Sequence, residues 1–175
     1  MEKAKKPKKP PPPTRSRLSG SALVETIDGP VEILTLVGKV MPVTTRFSDG
    51  TIGFRMMINI REIAAEAPLL KFRNQDGQSV VVGAEHVFVA ADGSPITADA
   101  VEEGTELASG WSYPDGYVVP DAPEYAEHLR GKTFTNTTRV TGRVGAGVGP
   151  VYGATVKETA SYFLTFGACS FAQIT

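Results

Sequence analysis

Cysteine is almost absent from this chain, with a single residue, Cys169, in 175 positions. One thiol cannot close an internal disulfide, so an ordinary hydrophobic core must hold the domain, as a chain of this length allows. The composition therefore fits a reducing compartment, or an assembly that does not rely on oxidation. No apolar run is long enough to span a bilayer, and Lys and Pro occupy the N-terminal positions where a signal peptide needs an apolar stretch. The expectation is a soluble protein that makes no membrane contact and is not exported by a signal peptide. Histidine is nearly as scarce as cysteine. Only His86 and His128 occur, with no ligand spacing between them or with a carboxylate, so neither a metal nor another cofactor is expected.

What is present is a polarised charge. Residues 1–17 carry seven basic side chains (Lys3, Lys5, Lys6, Lys8, Lys9, Arg15 and Arg17) against Glu2, a net of +6. The remaining eleven basic and eighteen acidic residues give 18–175 a net of −7. Prolines at 7 and 10–13 rule out helix or strand in the arm and favour an extended polyproline II rod. A terminal Lys/Pro segment can simply be a solvated tail. Alternatively it orders on an acidic partner, either a neighbouring subunit or nucleic acid. No aromatic residue is interleaved with the lysines to stack on bases, which argues against sequence-specific reading.

From Leu18 onward the pattern is all-β. Five Asp-Gly pairs, at 28–29, 49–50, 76–77, 92–93 and 115–116, punctuate short β-branched or apolar runs, and Asp-Gly suits the positive φ angles of tight hairpins. Strands are predicted at 22–27, 31–36, 39–47, 51–58, 69–73, 79–83, 86–90, 105–109, 133–144, 151–157 and 160–167. Two short helices are predicted as well. One starts from the capping-box spacing of Asn59 and Glu62 and is stopped by Pro68; the other runs from Asp121 to Arg130 and ends at Gly131. The segment 111–131 reads as an excursion from the β body, and 142–150 (GRVGAGVGP) as a flexible loop. That loop lacks the Gly-Lys-Ser/Thr and the strand-loop-helix context of a phosphate-binding loop.

Three stretches resemble one family. Leu23, Val24, Thr26, Gly29, Ile33, Leu36 and Gly38 match the opening of the Hint domain, the self-processing fold of Hedgehog proteins and inteins. The stretch 76–107 resembles its strand-turn-strand bearing Thr-x-x-His, and 151–172 is similar to its final hairpin. The resemblance implies a compact Hint-like β fold over 18–175, with an insertion at about 111–150 and the basic arm at 1–17. It also implies a chemistry in which a Cys or Ser attacks its own preceding carbonyl, helped by a Thr and a His, with a terminal His-Asn completing release.

This chain departs from that pattern at most of those positions. Arg17 aligns with the nucleophile, Gly83 with the Thr, and Phe171 and Ala172 with the terminal pair, while His86 is retained. Shifting the register would offer Ser19. His86, flanked by apolar strand residues, reads as a hydrogen-bonded core histidine, His128 as a surface residue, and Cys169 as a small buried hydrophobe. The expected function is thus a non-catalytic structural or assembly protein of a phage capsid or tail, found in the virion or host cytoplasm. In that reading the arm binds neighbouring subunits in a homo- or hetero-oligomer. Two alternatives stand beside it: self-cleavage by Ser19 or Ser21 with His86, and non-specific nucleic-acid binding through the arm.

Overall fold

Turn chemistry sets the outline. In the computed structural model, which describes residues 15–109, 118–125, 127, 130–131 and 137–172, Gly29, Gly50, Gly77 and Gly93 have φ between 78° and 87°. This is the left-handed region that only glycine enters freely. Asp49 and Asp92 brace two of these turns identically. Each carboxylate accepts a backbone N–H and a hydroxyl two residues on, from Thr51 at 2.9 and 2.6 Å and from Ser94 at 2.9 and 2.6 Å. Those bonds favour the ionised form and hold both carboxyls below the usual carboxylate range.

The described residues form two antiparallel sheets. The larger contains β1 (Leu18–Ser19), β2 (Leu23–Thr26), β3 (Gly29–Glu32), β4 (Met41–Arg46), β5 (Ile52–Asn74), β6 (Ser79–Gly83), β9 (Glu106–Ala108) and β10 (Thr137–Val156), in the order β3-β2-β4-β5-β6-β1-β10-β9. The smaller is ordered β11-β12-β7-β8, from β7 (Val87–Val89), β8 (Pro95–Thr97), β11 (Ser161–Phe163) and β12 (Cys169–Phe171). Strand β5 also pairs directly with β10, from Val140↔Asn74 to Val156↔Met57. The core between the sheets holds Leu18, Val24, Met57, Phe72, Phe88, Val140, Tyr162 and Leu164, with Phe72 and Phe88 edge to face at 5.8 Å. Among the described residues no helix is long and apolar enough to cross a membrane.

The all-β reading holds, and four expectations within it are corrected. The helix expected from Asn59 is part of β5: its capping-box pair is local, whereas Ile58, Arg61, Glu62 and Ala64 find strand partners on β10, and tertiary pairing overrides a local signal. Asn59 takes a positive φ of 52°, kinking β5 where the helix was expected to start. Residues 142–150 are not a loop but the middle of β10, with register shifts at Val140/Gly142, Gly145/Val148 and Gly149/Val151. The glycines serve these bulges, so the expected insertion at 111–150 gives way to β10 from Thr137 onward. Of the strand expected at 31–36, Ile33–Leu36 is a 3-10 turn that buries Ile33 and Leu36. Asp121–Tyr125 lie in bends and turns. His128, the Asp115-Gly116 pair and Lys3, Lys5, Lys6, Lys8 and Lys9 lie outside the described residues.

Candidate functional site

The segment leading into β1 enters the protein rather than lying on it. Arg15 remains exposed, its guanidinium 5.2 Å from the centre of the Phe171 ring, and its carbonyl accepts the Val87 N–H at 2.9 Å. Ser16 is only 1% exposed. Arg17 is held on both sides of its α-carbon: its N–H donates to His86 Nδ1 at 2.9 Å, and its carbonyl accepts the Gly83 N–H at 2.7 Å. Its side chain turns out toward Glu85 at 3.5 Å, where Glu85 is 77% exposed. An ion pair so open to solvent adds little stability.

His86 sits at the turn between β6 and β7 and is completely buried, edge-on to Phe88 with ring centres 4.8 Å apart. Burial penalises the imidazolium and lowers its pKa to about 3, so the ring is neutral at physiological pH. Since Nδ1 accepts from Arg17, the hydrogen bonds assign the proton to Nε2, which donates to Ser170 Oγ at 2.9 Å. Ser170 in turn interacts with the Tyr162 hydroxyl. Tyr162 then hydrogen-bonds Ser16 Oγ. Burial raises the Tyr162 phenol well above its ordinary range, with the bonds from Ser16 and Ser170 acting the other way.

A closed polar circuit results: Arg17 amide, His86, Ser170, Tyr162, Ser16. It encircles one peptide bond, the one joining Ser16 to Arg17. Two glycines let that peptide approach the sheet. A Cβ on Gly153 would stand 2.5 Å from the Ser16 carbonyl oxygen, and one on Gly83 would stand 3.3 Å from the Arg17 oxygen and 3.0 Å from Val151. The Gly at the position where the Hint pattern has Thr is thus matched by packing that leaves that side chain little room.

The sequence-predicted hydroxyls are elsewhere. Ser19 Oγ lies 3.3 Å from Ser21 Oγ, and among the described residues His86 bonds neither; its side-chain partners are Arg17 and Ser170. Sequence reasoning missed Ser16, Tyr162, Ser170 and Gly153. Nothing local marks them, because the Ser16–Tyr162 pair spans 146 residues and the His86–Ser170 pair 84. Cys169 is buried with its thiol pushed up to about 12 by that burial. No three His, Cys, Asp or Glu side chains converge as a metal would require among the described residues.

Chemically, the circuit addresses the nitrogen of residue 17 but supplies no attacking atom. An acyl shift at this bond would need a nucleophile on residue 17, and a guanidinium cannot serve. Nor is Ser170 activated. His86 donates to it, and taking its proton instead would cost the ring its bond from the Arg17 amide.

No protein-family model matches the sequence, and no curated protein matches it. Solved structures do. A variant of the Ssp DnaB mini-intein is 12% identical and covers 89% of this chain and 94% of its own, with a TM-score of 0.67. The DnaX mini intein from Spirulina platensis is 17% identical over 89% of this chain and 99% of its own, TM-score 0.64. The bacterial intein-like domain from Clostridium thermocellum is 16% identical over 89% and 98%, TM-score 0.62. At these identities the likeness concerns the fold alone, and it agrees with the motif reading: the chain has a Hint-like fold.

Proposed function

We propose that this Hint-like domain is a non-catalytic assembly module, in which the geometry around the Ser16–Arg17 peptide anchors a segment instead of cutting it. One observation carries the reading: the amide that His86 holds belongs to Arg17, which has no nucleophile. The neutral, buried ring supports it, since the proton a leaving nitrogen needs is missing at physiological pH. With residues 15–19 fixed in the body, the preceding Lys/Pro arm becomes a tether of known origin, its basic side chains available to acidic faces of neighbouring subunits. A virion component of capsid or tail, with the arm laced across neighbours, is the setting this combination suits best.

Self-cleavage by Ser19 or Ser21 is the competing reading, and the same fold accommodates it. Native and denaturing mass spectrometry of freshly purified full-length protein separate the two. The assembly reading expects an uncut 18.6 kDa chain, stable to hydroxylamine and found in complexes that dissociate when residues 1–14 are removed. A break between residues 16 and 21 that disappears in His86→Ala would overturn it.

A further inference from the structure

The four described Asp-Gly turns share a backbone and differ in what holds the aspartate. The glycine N–H does not separate them: those of Gly50, Gly77 and Gly93 donate to the carbonyls of Phe47, Asn74 and Ala90 at 2.9, 3.0 and 2.8 Å, and Gly29 is the register partner of Thr26. The carboxylates do. Asp49 and Asp92 are each tied by two hydrogen bonds to the residue two positions on, Thr51 or Ser94. After Asp28 that position is Pro30, which has neither an N–H nor a hydroxyl to offer. Asp28 is exposed, and among the described residues its carboxylate has no ion pair. Outside the strand pairing, its hydrogen bond runs from its N–H to Thr26 Oγ1 at 3.1 Å.

Position in the sheets adds a second distinction. The turns at 49–50 and 76–77 join β4 to β5 and β5 to β6, inside the larger sheet, whereas those at 28–29 and 92–93 end the edge hairpins β2–β3 and β7–β8. Hairpins at an edge open at lower cost than those paired on both sides. Strand β2 is joined to β4 in register only at Thr26↔Val43. Of the four, Asp28 alone combines a carboxylate that its turn leaves untied with a turn at a sheet edge.

We propose that Asp28-Gly29 is a self-modification site, where the folded chain isomerises its own aspartate through a cyclic imide. The Gly29 nitrogen attacks Asp28 Cγ, and the amide proton, one solvent proton and one carboxyl oxygen leave as water. Hydrolysis at Cγ then restores aspartate, while hydrolysis at the main-chain carbonyl leaves isoaspartate, so the net change is an isomerisation that needs no other reactant. Glycine, having no side chain, leaves the nitrogen accessible, and a carboxylate tied by charge-assisted bonds cannot turn back to meet it. Isoaspartate lengthens the main chain by one atom and moves the carboxylate to the α-carbon. Thr26 Oγ1, which donates to the Gly29 carbonyl at 2.7 Å and accepts the Asp28 N–H, then loses its spacing, and the modified hairpin frays from the sheet edge. The inference does not rest on the fate of the Ser16–Arg17 bond.

The test is to age the purified full-length protein for several weeks at neutral pH and physiological temperature, folded and in urea, and to map isoaspartate. Trypsin releases Leu18–Lys39, in which Asp28 is the only aspartate, and Phe47–Arg55, which carries Asp49. A glutamate-specific protease releases Ala67–Glu85 with Asp76 and His86–Glu102 with Asp92. Chromatography with electron-transfer fragmentation identifies isoaspartate in each. In the folded protein Asp28 is expected to convert about tenfold faster or more than Asp49 or Asp92, the factor that one charge-assisted hydrogen bond implies. In urea the four rates should converge. Pro30→Thr gives this turn the sequence of Asp49-Gly50-Thr51 and should slow Asp28 to the Asp49 rate, while Thr51→Ala should speed Asp49; circular dichroism checks that both variants fold. Equal conversion at the four folded sites, faster conversion at any of the other three, or Pro30→Thr leaving the rate unchanged would overturn the proposal. So would a folded chain that converts nowhere while the unfolded chain converts at all four.

Discussion

His86 gives the domain a pH dependence whose size follows from its burial. The ring is neutral in the fold with a pKa of about 3, against an ordinary value of 6.5, so between these values the unfolded chain binds a proton that the folded chain refuses. Stability is therefore complete above about pH 6.5 and falls as the pH drops toward 3, by up to roughly 1.4 kcal/mol per pH unit. At pH 4.5 this single group removes about 3 kcal/mol, a large part of the roughly 5–15 kcal/mol that stabilises a typical domain. Carboxylates titrate in the same window, so the contribution must be isolated by difference. Glutamine at position 86 offers an acceptor and a donor without the titration. Urea unfolding of wild type and His86→Gln at pH 7.5, 6, 5 and 4.5, followed by circular dichroism, should show the wild type losing about 3 kcal/mol more than the variant over that span. Parallel pH profiles would refute the reasoning, because they would mean that the imidazole gains its proton as easily in the fold as out of it.

Three further outcomes follow from the same geometry. Gly153→Ala should destabilise by about 3 kcal/mol or more, beyond ordinary overpacking, since the new methyl meets the Ser16 backbone oxygen and Ile63 together; thermal unfolding measures it, and an unchanged midpoint would contradict the close approach. Cys169, buried with its thiol near 12, should resist iodoacetamide at pH 8 in the native protein and react promptly in 6 M urea, as intact mass will report. For the arm, removing residues 1–14 should abolish any low-salt retention on DNA-cellulose, because the body carries net negative charge; retention by the truncated body would refute that assignment.

Much of the fold was legible because its turns are local. Asp-Gly at 28–29, 49–50, 76–77 and 92–93 specifies a backbone conformation within two residues, and each such glycine has the positive φ the pair implies. His86 was legible through its motif position and apolar flanks. The rest depended on partners far along the chain. Asn59 and Glu62 have helix-start spacing, yet β10 lies alongside and takes the segment as strand. The glycines of 142–150 look like loop until β5 pairs with them. Ser16, Tyr162 and Ser170 are unremarkable polar residues in sequence, and become a circuit only when the β11–β12 hairpin closes over the segment before β1.

Strand β5 is bordered by β4 at its start, β6 at its end and β10 along most of its length. Its neighbours are drawn from residues 41–46, 79–83 and 140–156, so one segment acts as the common spine for three distant parts of the chain. Such a spine cannot finish assembling piecemeal. On a ribosome, the stretch from Met57 to Asn74 waits for its β10 partner until Val156 has emerged, and loop closures of that span make folding slow. Until then the Ile and Leu residues of β5 lack the strand that pairs with them in the fold, and apolar surface left open in this way favours aggregation.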